Sequence, residues 1–117
     1  MKLFIGNDIV YIPGFKKSLN AAFIKKVFSN REIRQIEEYR ANPIVRYATT
    51  WAAKEAVFKA MEQMYHKSLK LNWKEIEIVR ANKIPKVIIS KKYYKNLNFS
   101  LSLSYHKEYA FAVVIVY

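Results

Sequence analysis

The stretch WAAKEAVFKAM, residues 51–61, places small apolar side chains on one side of a helix. Ala53, Val57, Ala60 and Met64 recur every three or four residues and so form one narrow stripe. Small side chains on such a stripe allow a helix to lie close against a sheet. We therefore expect a long helix that shares its core with a β-sheet.

The opposite side of this helix is also partly apolar. It carries two aromatic and three charged side chains: Trp51, Glu55, Phe58, Lys59 and Glu62. A helix with apolar residues on both sides is usually covered on both sides. We expect that something other than the chain's own core covers Glu55.

Hydrophobic periodicity and capping signals predict one strand and then helices in the first half of the chain. KLFIGNDIVYI is predicted as a strand that is broken or bulged near Gly6, and FKKSLNAAFIKKVF as a helix. Ser29 and Glu32 have the spacing of a capping box for a second short helix. Asn42 and Pro43 supply the N-cap and first turn of the long helix that contains WAAKEAVFKAM.

The second half changes to the alternation that is typical of strands. KEIEIV, KVIIS, FSLSLS and YAFAVVIVY are predicted strands, ANKIP a turn and KKYYKNL a short helix. The expected fold class is α+β, with a mostly antiparallel sheet, a long central helix and shorter N-terminal helices. No linker or repeat interrupts residues 1–117, which we expect to form one domain.

The last predicted strand is apolar on both faces. Its alternating residues are Tyr109, Phe111, Val113 and Ile115 on one face and Ala110, Ala112, Val114 and Val116 on the other. One face of a small antiparallel sheet is normally in contact with water. A strand that is apolar on both sides therefore indicates burial at a subunit interface.

Composition excludes several classes of protein. The 117 residues include no cysteine, so disulfides and thiolate chemistry are excluded. No apolar run reaches membrane-spanning length, and Asp8 interrupts the first apolar stretch too early for a signal peptide. We therefore expect a cytoplasmic protein that binds no membrane. The formal net charge of +12 favours a phosphate-rich ligand, a nucleic acid or an acidic protein, although a general richness in lysine explains it equally well.

Two carboxylates and a lysine form a candidate site for phosphate chemistry. Asp8 follows an apolar strand and a glycine, and Glu55 and Lys59 are four residues apart, at the spacing of a helical ion pair. Carboxylates from two separate elements suit Mg²⁺ or Mn²⁺, and an adjacent lysine can neutralise a phosphate. Each residue alone is more typical of a turn or a surface ion pair. Together, the three residues indicate a site for phosphate chemistry.

Three segments match motifs that occur together in one enzyme family. IGNDIV at 5–10 is similar to an opening motif G-x-D-x-V, and WAAKEAVFKA at 51–60 to a helix motif (W/F)-x-x-K-E-A-x-x-K-A. LSLSYHKEYAFAVV at 101–114 is similar to a closing hairpin S-(I/L)-(S/T)-H-x-x-x-Y-A. In this order and spacing they resemble the holo-acyl-carrier-protein synthases, the short trimeric 4'-phosphopantetheinyl transferases. The resemblance covers essentially the whole chain.

The resemblance implies a definite reaction. The phosphopantetheine arm of coenzyme A moves to a serine of apo acyl carrier protein, and adenosine 3',5'-bisphosphate leaves. The resemblance makes Asp8, Glu55 and Lys59 the catalytic residues, with Asp8 and Glu55 holding Mg²⁺ and Lys59 offsetting the charge of the pyrophosphate. Either Glu55 or a water molecule on the metal would take the proton of the serine.

The resemblance also implies binding surfaces and an assembly. Lys59, Pro85, Ser104 and His106 would contact coenzyme A, and a homotrimer would carry its active sites between subunits. Four lysines would form the surface that docks the acidic, helical carrier protein, with Phe15 and Phe23 as apolar anchors: Lys16, Lys17, Lys25 and Lys26. The alternative is a solvated lysine face around buried phenylalanines. Lys54 belongs to the helix motif, but an intrahelical or solvated role is equally open.

The chain departs from the family pattern at three places. Tyr105 occupies the position of the family's histidine and His106 follows one residue later, so either the turn is shifted or His106 has another role. Thr50 stands where the family often has an arginine. MEQMYHKSLKLN replaces a glycine-rich loop, and either His66 and Lys67 or water would bind phosphate there.

Two other functions are consistent with parts of the sequence. The positive charge and nine tyrosines would suit a small basic module that binds nucleic acid, although no recognised nucleic-acid motif is present. A non-catalytic relative that keeps the fold and the trimer is a third reading. The presence of Asp8, Glu55 and Lys59 together argues against it.

Overall fold

Helices occupy most of the first half of the chain and strands the second half in the computed structural model, which describes residues 2–117. The elements are β1 (Phe4–Tyr11), α1 (Ile12–Ser18), α2 (Ala21–Val27), α3 (Asn30–Glu38), α4 (Pro43–Tyr65), β2 (Ile76–Ala81), β3 (Ile84–Ile89), β4 (Phe99–His106) and β5 (Tyr109–Val116). Short 3-10 helices lie at His66–Ser68, Trp73–Glu75 and Lys92–Tyr94. No helix within residues 2–117 is long and apolar enough to cross a membrane.

The strands form two antiparallel sheets. The larger sheet has the order β1-β5-β4, and β2 and β3 form a separate hairpin. The long helix α4 packs across β1 and β5. The predicted α+β class with antiparallel strands and a long central helix is confirmed, although the strands are divided between two sheets.

Gly6 allows α4 to approach β1 closely. The predicted break or bulge is wrong, because β1 pairs with β5 along its whole length without interruption. A Cβ atom at Gly6 would lie 1.9 Å from the carbonyl oxygen of Ala56 and 2.9 Å from the amide nitrogen of Ala60. The residue is therefore a glycine because there is no room for a side chain between strand and helix.

The small-residue stripe of α4 is buried as predicted, except that Met64 at its end is only partly buried. Ala53, Val57 and Ala60 are fully buried, and Ala52 and Ala56 widen the buried face. This broad arc explains how the helix backbone comes close enough to the sheet to contact Gly6.

The aromatic residues on the opposite face of α4 are covered in part by the chain itself. The Trp51 ring lies 5.4 Å from that of Phe23 on α2 and 4.8 Å from that of Trp73. The Phe58 ring lies 5.1 Å from that of Trp73. The chain itself therefore covers these two side chains, because α2 and the segment at Trp73 fold over them. The cover expected over Glu55 stays a prediction.

Capping residues begin the helices where predicted, with one exception. The capping box of Ser29 and Glu32 starts α3, and the Asn42 side chain accepts a hydrogen bond from the amide of Val45 at the start of α4. The predicted first helix is instead two helices. The Asn20 side chain accepts from the amide of Phe23 at 2.9 Å and begins α2 as a new helix.

The two apolar faces of β5 have different environments. Ala110, Ala112, Val114 and Val116 are buried in the core beneath α4. The other face of the larger sheet exposes large apolar side chains, among them Ile5, Ile9, Tyr109, Phe111 and Val113, between 39% and 57% exposed. Val114 therefore lies in the core of the subunit, and the opposite face of β5 is the one that is exposed.

Candidate active site

Asp8 and Lys59 meet at the contact between β1 and α4. Alternation along β1 puts Asp8 on the same face as Gly6, which contacts α4. The Lys59 ammonium donates to Asp8 Oδ1 at 2.9 Å and to the carbonyl oxygen of Asn7 at 3.2 Å. The hydrogen bond to Asp8 raises the pKa of Lys59, and the charges of Asp8 and Glu55 raise it further. The lysine is therefore held in its charged form.

Glu55 completes this group one helical turn before Lys59. Burial raises the pKa of Glu55, the nearby charge of Asp8 raises it further, and the charge of Lys59 opposes both. The expected ion pair of Glu55 with Lys59 does not form within residues 2–117, since Lys59 pairs with Asp8. Strand β1 places a carboxylate within reach of the lysine, and sequence spacing alone could not show this.

Two cavities meet at Asp8. The first, which we call the Lys59 cavity, has a volume of about 430 Å³ and is lined by Asp8, Lys59, Ser104 and Phe111 among others. The second, the Glu55 cavity, has a volume of about 440 Å³ and is lined by Asp8, Glu55 and residues of α1 and α2. The same carboxylate therefore borders two spaces of the size that small-molecule sites occupy.

Asp8 and Glu55 are the oxygen donors available to a metal at this position. No cluster of three or more His, Cys, Asp or Glu side chains suited to a metal occurs within residues 2–117. Mg²⁺ commonly uses only one or two protein carboxylates and completes its shell with water and phosphate oxygens. The donor set therefore fits Mg²⁺ held together with a phosphate ligand.

Lys54 has a structural partner. It is fully buried, and its ammonium donates to Glu32 Oε1 and to the carbonyl oxygen of Ile76, both at 2.6 Å. Glu32 also accepts from the amides of Ser29 and Ile78, both at 2.9 Å. Burial lowers the pKa of Lys54, and the charge of Glu32 opposes this. The intrahelical or solvated role considered for Lys54 was wrong, because the side chain joins α4 to α3 and β2.

Three of the four residues expected to contact coenzyme A line two of the cavities, and the fourth lies outside them. Lys59 and Ser104 line the Lys59 cavity. Pro85 and Ser104 line a third cavity of about 560 Å³, which Tyr105 also borders. His106 lies at the end of β4 opposite Tyr109, outside these three cavities. Contact of these residues with coenzyme A stays a prediction.

The four lysines expected to dock the carrier protein are exposed at the ends of α1 and α2. Lys16 and Lys17 lie in the last turn of α1, and Lys25 and Lys26 in the last turn of α2. Phe15 is buried, and its ring lies 5.9 Å from that of the half-buried Phe23. Both rings pack against the chain's own core and also line the Glu55 cavity. Their role as apolar anchors for the carrier protein stays a prediction.

Sequence reasoning missed one cation beside the third cavity, Arg80. The Arg80 guanidinium donates to Thr50 Oγ1 at 3.1 Å and to Thr49 Oγ1 at 3.2 Å, next to the 560 Å³ cavity. Thr50 is one of the three places at which the chain departs from the family pattern. Only long-range contact between β2 and α4 brings an arginine there, so no local signal could have identified it.

Comparison with known proteins assigns the family. Residues 4–114 match the 4'-phosphopantetheinyl transferase superfamily. The holo-acyl-carrier-protein synthase of Chlamydia caviae is 38% identical over 120 residues, covering 95% of this chain and 93% of that protein. A Chronobacterium ammoniagenes ACPS–CoA complex superposes with a TM-score of 0.86 at 25% identity, covering 100% of this chain and 98% of that one.

A second solved structure supports the same assignment. The Helicobacter pylori holo-acyl-carrier-protein synthase in complex with coenzyme A has a TM-score of 0.77 at 26% identity, covering 97% of this chain and 99% of that one. The family resemblance inferred from the motifs is confirmed. With the match extending over nearly the whole sequence, the chain belongs to the 4'-phosphopantetheinyl transferase superfamily.

Proposed function

We propose that this chain is a holo-acyl-carrier-protein synthase that transfers phosphopantetheine from coenzyme A to a serine of apo acyl carrier protein. The main support is that Asp8, Glu55 and Lys59 lie together where two cavities meet. Asp8 borders both cavities, Lys59 borders one and Glu55 the other. Similarity to synthases, including two solved with coenzyme A, supports the choice of substrates.

Each of the three side chains has a chemical task in this reaction. The serine oxygen forms a bond to the phosphorus nearest the pantetheine, and the P–O bond to the nucleotide breaks, releasing adenosine 3',5'-bisphosphate. Lys59, held charged by Asp8, stabilises the negative charge that develops on the phosphate oxygens. Glu55 accepts the proton of the serine, directly or through a water molecule.

Asp8 and Glu55 are the residues that would hold Mg²⁺. The metal would act as a Lewis acid that polarises the pyrophosphate. The charge of Asp8 raises the pKa of Glu55, which reflects repulsion between the two carboxylates. A cation between them would relieve that repulsion, so the pair is suited to binding one. Mn²⁺, with its similar preference for oxygen ligands, is an alternative occupant.

The proposal is tested by incubating the chain with coenzyme A, Mg²⁺ and an apo acyl carrier protein, and measuring the carrier's mass. We expect a gain equal to one phosphopantetheine group. A carrier in which the acceptor serine is replaced by alanine is the control and should gain nothing. An unchanged mass for the native carrier would refute the proposed function.

Carrier docking on the four exposed lysines is part of the proposal. We expect Lys25→Glu combined with Lys26→Glu to slow productive association with the carrier by about 10-fold at low salt, since opposite charges steer association. The difference from the unmodified chain should shrink as salt rises. Steady-state kinetics with varied carrier, at two ionic strengths, measures this.

The matched control reverses the same number of charges elsewhere. Lys92 and Lys95 are exposed near β4, at a distance from α2 in the sequence, and Lys92→Glu with Lys95→Glu gives an equal change in net charge. The control should retain more of the association rate. Equal losses in both double variants would point to net charge alone, and a parallel loss of affinity for coenzyme A would contradict a docking role.

A homotrimer with active sites between subunits is also proposed. Its support is the exposed apolar face of the larger sheet, which a second subunit would bury, while the count of three comes from the family resemblance. We expect Ile5→Lys to dissociate the assembly and to lower transfer activity, because an ammonium in that interface would lose water without a partner. Ile5 is 54% exposed, so the fold of one subunit should tolerate the change.

Sedimentation equilibrium and the transfer assay together test the assembly. Ile88→Lys is the control, since Ile88 is an exposed isoleucine, 37% exposed, on β3 of the separate β2–β3 hairpin. It should leave both mass and activity unchanged. An Ile5→Lys protein that stays trimeric would remove this face from the interface, and a fully active monomer would end the idea of shared sites.

The remaining expectations belong to the same proposal. Residues 1–117 would form one transferase domain, acting in the cytoplasm.

The alternative of a small basic nucleic-acid-binding module gains no support from the family match. Binding of coenzyme A with Mg²⁺ but not of single-stranded DNA would separate the two. Measurable transfer would likewise eliminate a non-catalytic relative.

A further inference from the structure

Lys54 and Glu32 form a fully buried ion pair that the proposed chemistry does not use. Both side chains are 0% exposed, and the Lys54 ammonium lies 2.6 Å from Glu32 Oε1. Burying two charges costs free energy that their attraction often fails to recover, so such a pair is weak evidence of a stabilising role. The best-attested role of buried ionic groups is to fix the register of one element on another. The elements that this pair joins therefore indicate what it does.

The ion pair joins α4 to α3 and β2. Besides its bond to Glu32 of α3, the Lys54 ammonium donates to the carbonyl oxygen of Ile76, the first residue of β2, at 2.6 Å. Glu32 in turn accepts from the amide of Ile78 on β2 at 2.9 Å. Because the Lys54 side chain is held at two points, α4 cannot turn about its axis without breaking one of these bonds.

A second ion pair joins α3 to β2 without α4. Arg31 donates to both carboxylate oxygens of Glu77, at 2.7 Å and 3.2 Å. The Ser29 hydroxyl, at the start of α3, donates to Glu77 Oε2 at 2.6 Å. Since α3 and β2 are already joined in this way, the particular contribution of Lys54 and Glu32 is the attachment of α4.

Packing on the larger sheet constrains the rotation of α4 only weakly. Four alanines make up much of its fully buried face: Ala52, Ala53, Ala56 and Ala60. Interdigitating side chains are what orient packed helices, and short side chains interdigitate little. The contact at Gly6 sets how closely α4 approaches β1. The bonds of Lys54 supply the constraint on rotation that the alanines lack.

The rotation of α4 determines the direction of Glu55. Glu55 is the residue after Lys54 and lies about 100° further around the helix. A turn of about 10° would move a group roughly 6 Å from the helix axis by about 1 Å. A displacement of about 1 Å can slow a reaction by about 100-fold. Lys59, on the same helix, would move relative to Asp8 in the same turn.

We propose that Lys54 and Glu32 are positioning residues, whose ion pair fixes the rotation of α4 and thereby aims Glu55 at the reacting groups. The inference rests on the proposed function, which assigns the proton transfer to Glu55. Both side chains are fully buried, so they act through Glu55 and contact no substrate.

The test is the double variant Lys54→Met with Glu32→Gln. It leaves no buried charge unpaired, and glutamine keeps an oxygen that can accept from the amides of Ser29 and Ile78. The unfolding temperature should therefore stay close to the native one. We expect kcat for transfer to fall about 10-fold or more. The KM for the carrier should stay near the native value, because the proposed docking lysines lie on α1 and α2.

The matched control makes the same kinds of substitution in the second ion pair. Arg31→Met with Glu77→Gln removes a bond between α3 and β2 and leaves the bonds of α4 intact. Its kcat should equal that of the native chain. Equal losses of kcat in the two double variants would overturn the inference, because the effect would then not depend on α4.

Two tryptophans report the orientation of α4 without any catalytic step. Trp51 lies on α4 three residues before Lys54, and its ring is 4.8 Å from that of Trp73, which precedes β2. The chain has only these two tryptophans, so an NMR spectrum resolves their indole N–H signals simply. We expect both signals to shift in the Lys54→Met, Glu32→Gln variant and to stay in place in the control, since ring contacts change when α4 turns.

These measurements separate the inference from the proposed function. If the native chain transfers and the Lys54→Met, Glu32→Gln variant keeps either the native kcat or the native indole signals, the inference fails and the function stands. Loss of activity that follows only the unfolding of this variant would also overturn the inference, because the ion pair would then serve stability. If the native chain transfers nothing but the indole signals shift in this variant alone, the function fails and the positioning of α4 stands.

Discussion

Replacing Glu55 with glutamine or alanine should lower the rate of phosphopantetheine transfer by roughly 100-fold or more, the size of a lost general base or metal ligand. Asp8→Ala and Asp8→Asn should have an effect of similar size, since the loss of Asp8 also removes the ion-pair partner of Lys59. Both positions are partly exposed, so the fold should be retained. The carrier mass assay, run as a time course, measures the rate.

The matched control for Glu55 lies two helical turns further along α4. Glu62 is exposed, and Glu62→Gln removes the same charge from the same helix. It should leave the rate near that of the native chain. Raising the Mg²⁺ concentration should partly rescue Asp8→Asn if the aspartate contributes to metal binding. A Glu55→Gln or Asp8→Ala chain that transfers at the native rate would remove that residue from the active site.

Gly6→Ala should destabilise the chain by about 3 kcal/mol or more, at the upper end of the cost of overpacking a core. The added methyl would lie 1.9 Å from the carbonyl oxygen of Ala56, and backbone cannot move aside as a flexible side chain can. Any relief requires that α4 move away from β1. This shift would also separate Asp8 from Lys59, so transfer should fall together with stability. Urea unfolding, followed by circular dichroism, measures the change.

Gly14→Ala distinguishes this clash from a general effect of replacing glycine. A Cβ atom at Gly14 would lie 3.2 Å from a ring carbon of Tyr11, which is a side chain that can adjust. Alanine also favours a helix over glycine by up to ~1 kcal/mol, so Gly14→Ala in α1 should be neutral or stabilising. Equal stabilities for the two variants would refute the close approach of α4 to β1.

Local signals in the sequence predicted most of the helix starts and strands. The side chains of Ser29 and Asn42 accept hydrogen bonds from amides three residues later, so their effect lies within one turn. The strands were recognised by their alternation, which also depends only on adjacent residues. The helix from 15 to 28 was mispredicted as one element, because its apolar spacing continues across the cap at Asn20.

The sequence was less informative about pairing between distant residues. Glu32 was recognised as part of a capping box, and its second role as the buried partner of Lys54 depends on α3 and α4 meeting. Gly6 was read as a defect of the strand, although it marks the closest contact with α4. Neither contact leaves a local pattern, since each joins residues that are 22 or more positions apart.

The sequence by itself determined which chemical groups the candidate active site can contain and which elements carry them. Asp8, Glu55 and Lys59 were all identified from residue type, motif and spacing, because oxygen ligands and a cation are what phosphate chemistry requires. The tertiary structure decided how these groups are paired. Lys59 bonds to Asp8 instead of Glu55, and Arg80 reaches Thr50 from β2, because close packing of α4 on β1 and β2 sets distances that sequence separation does not contain.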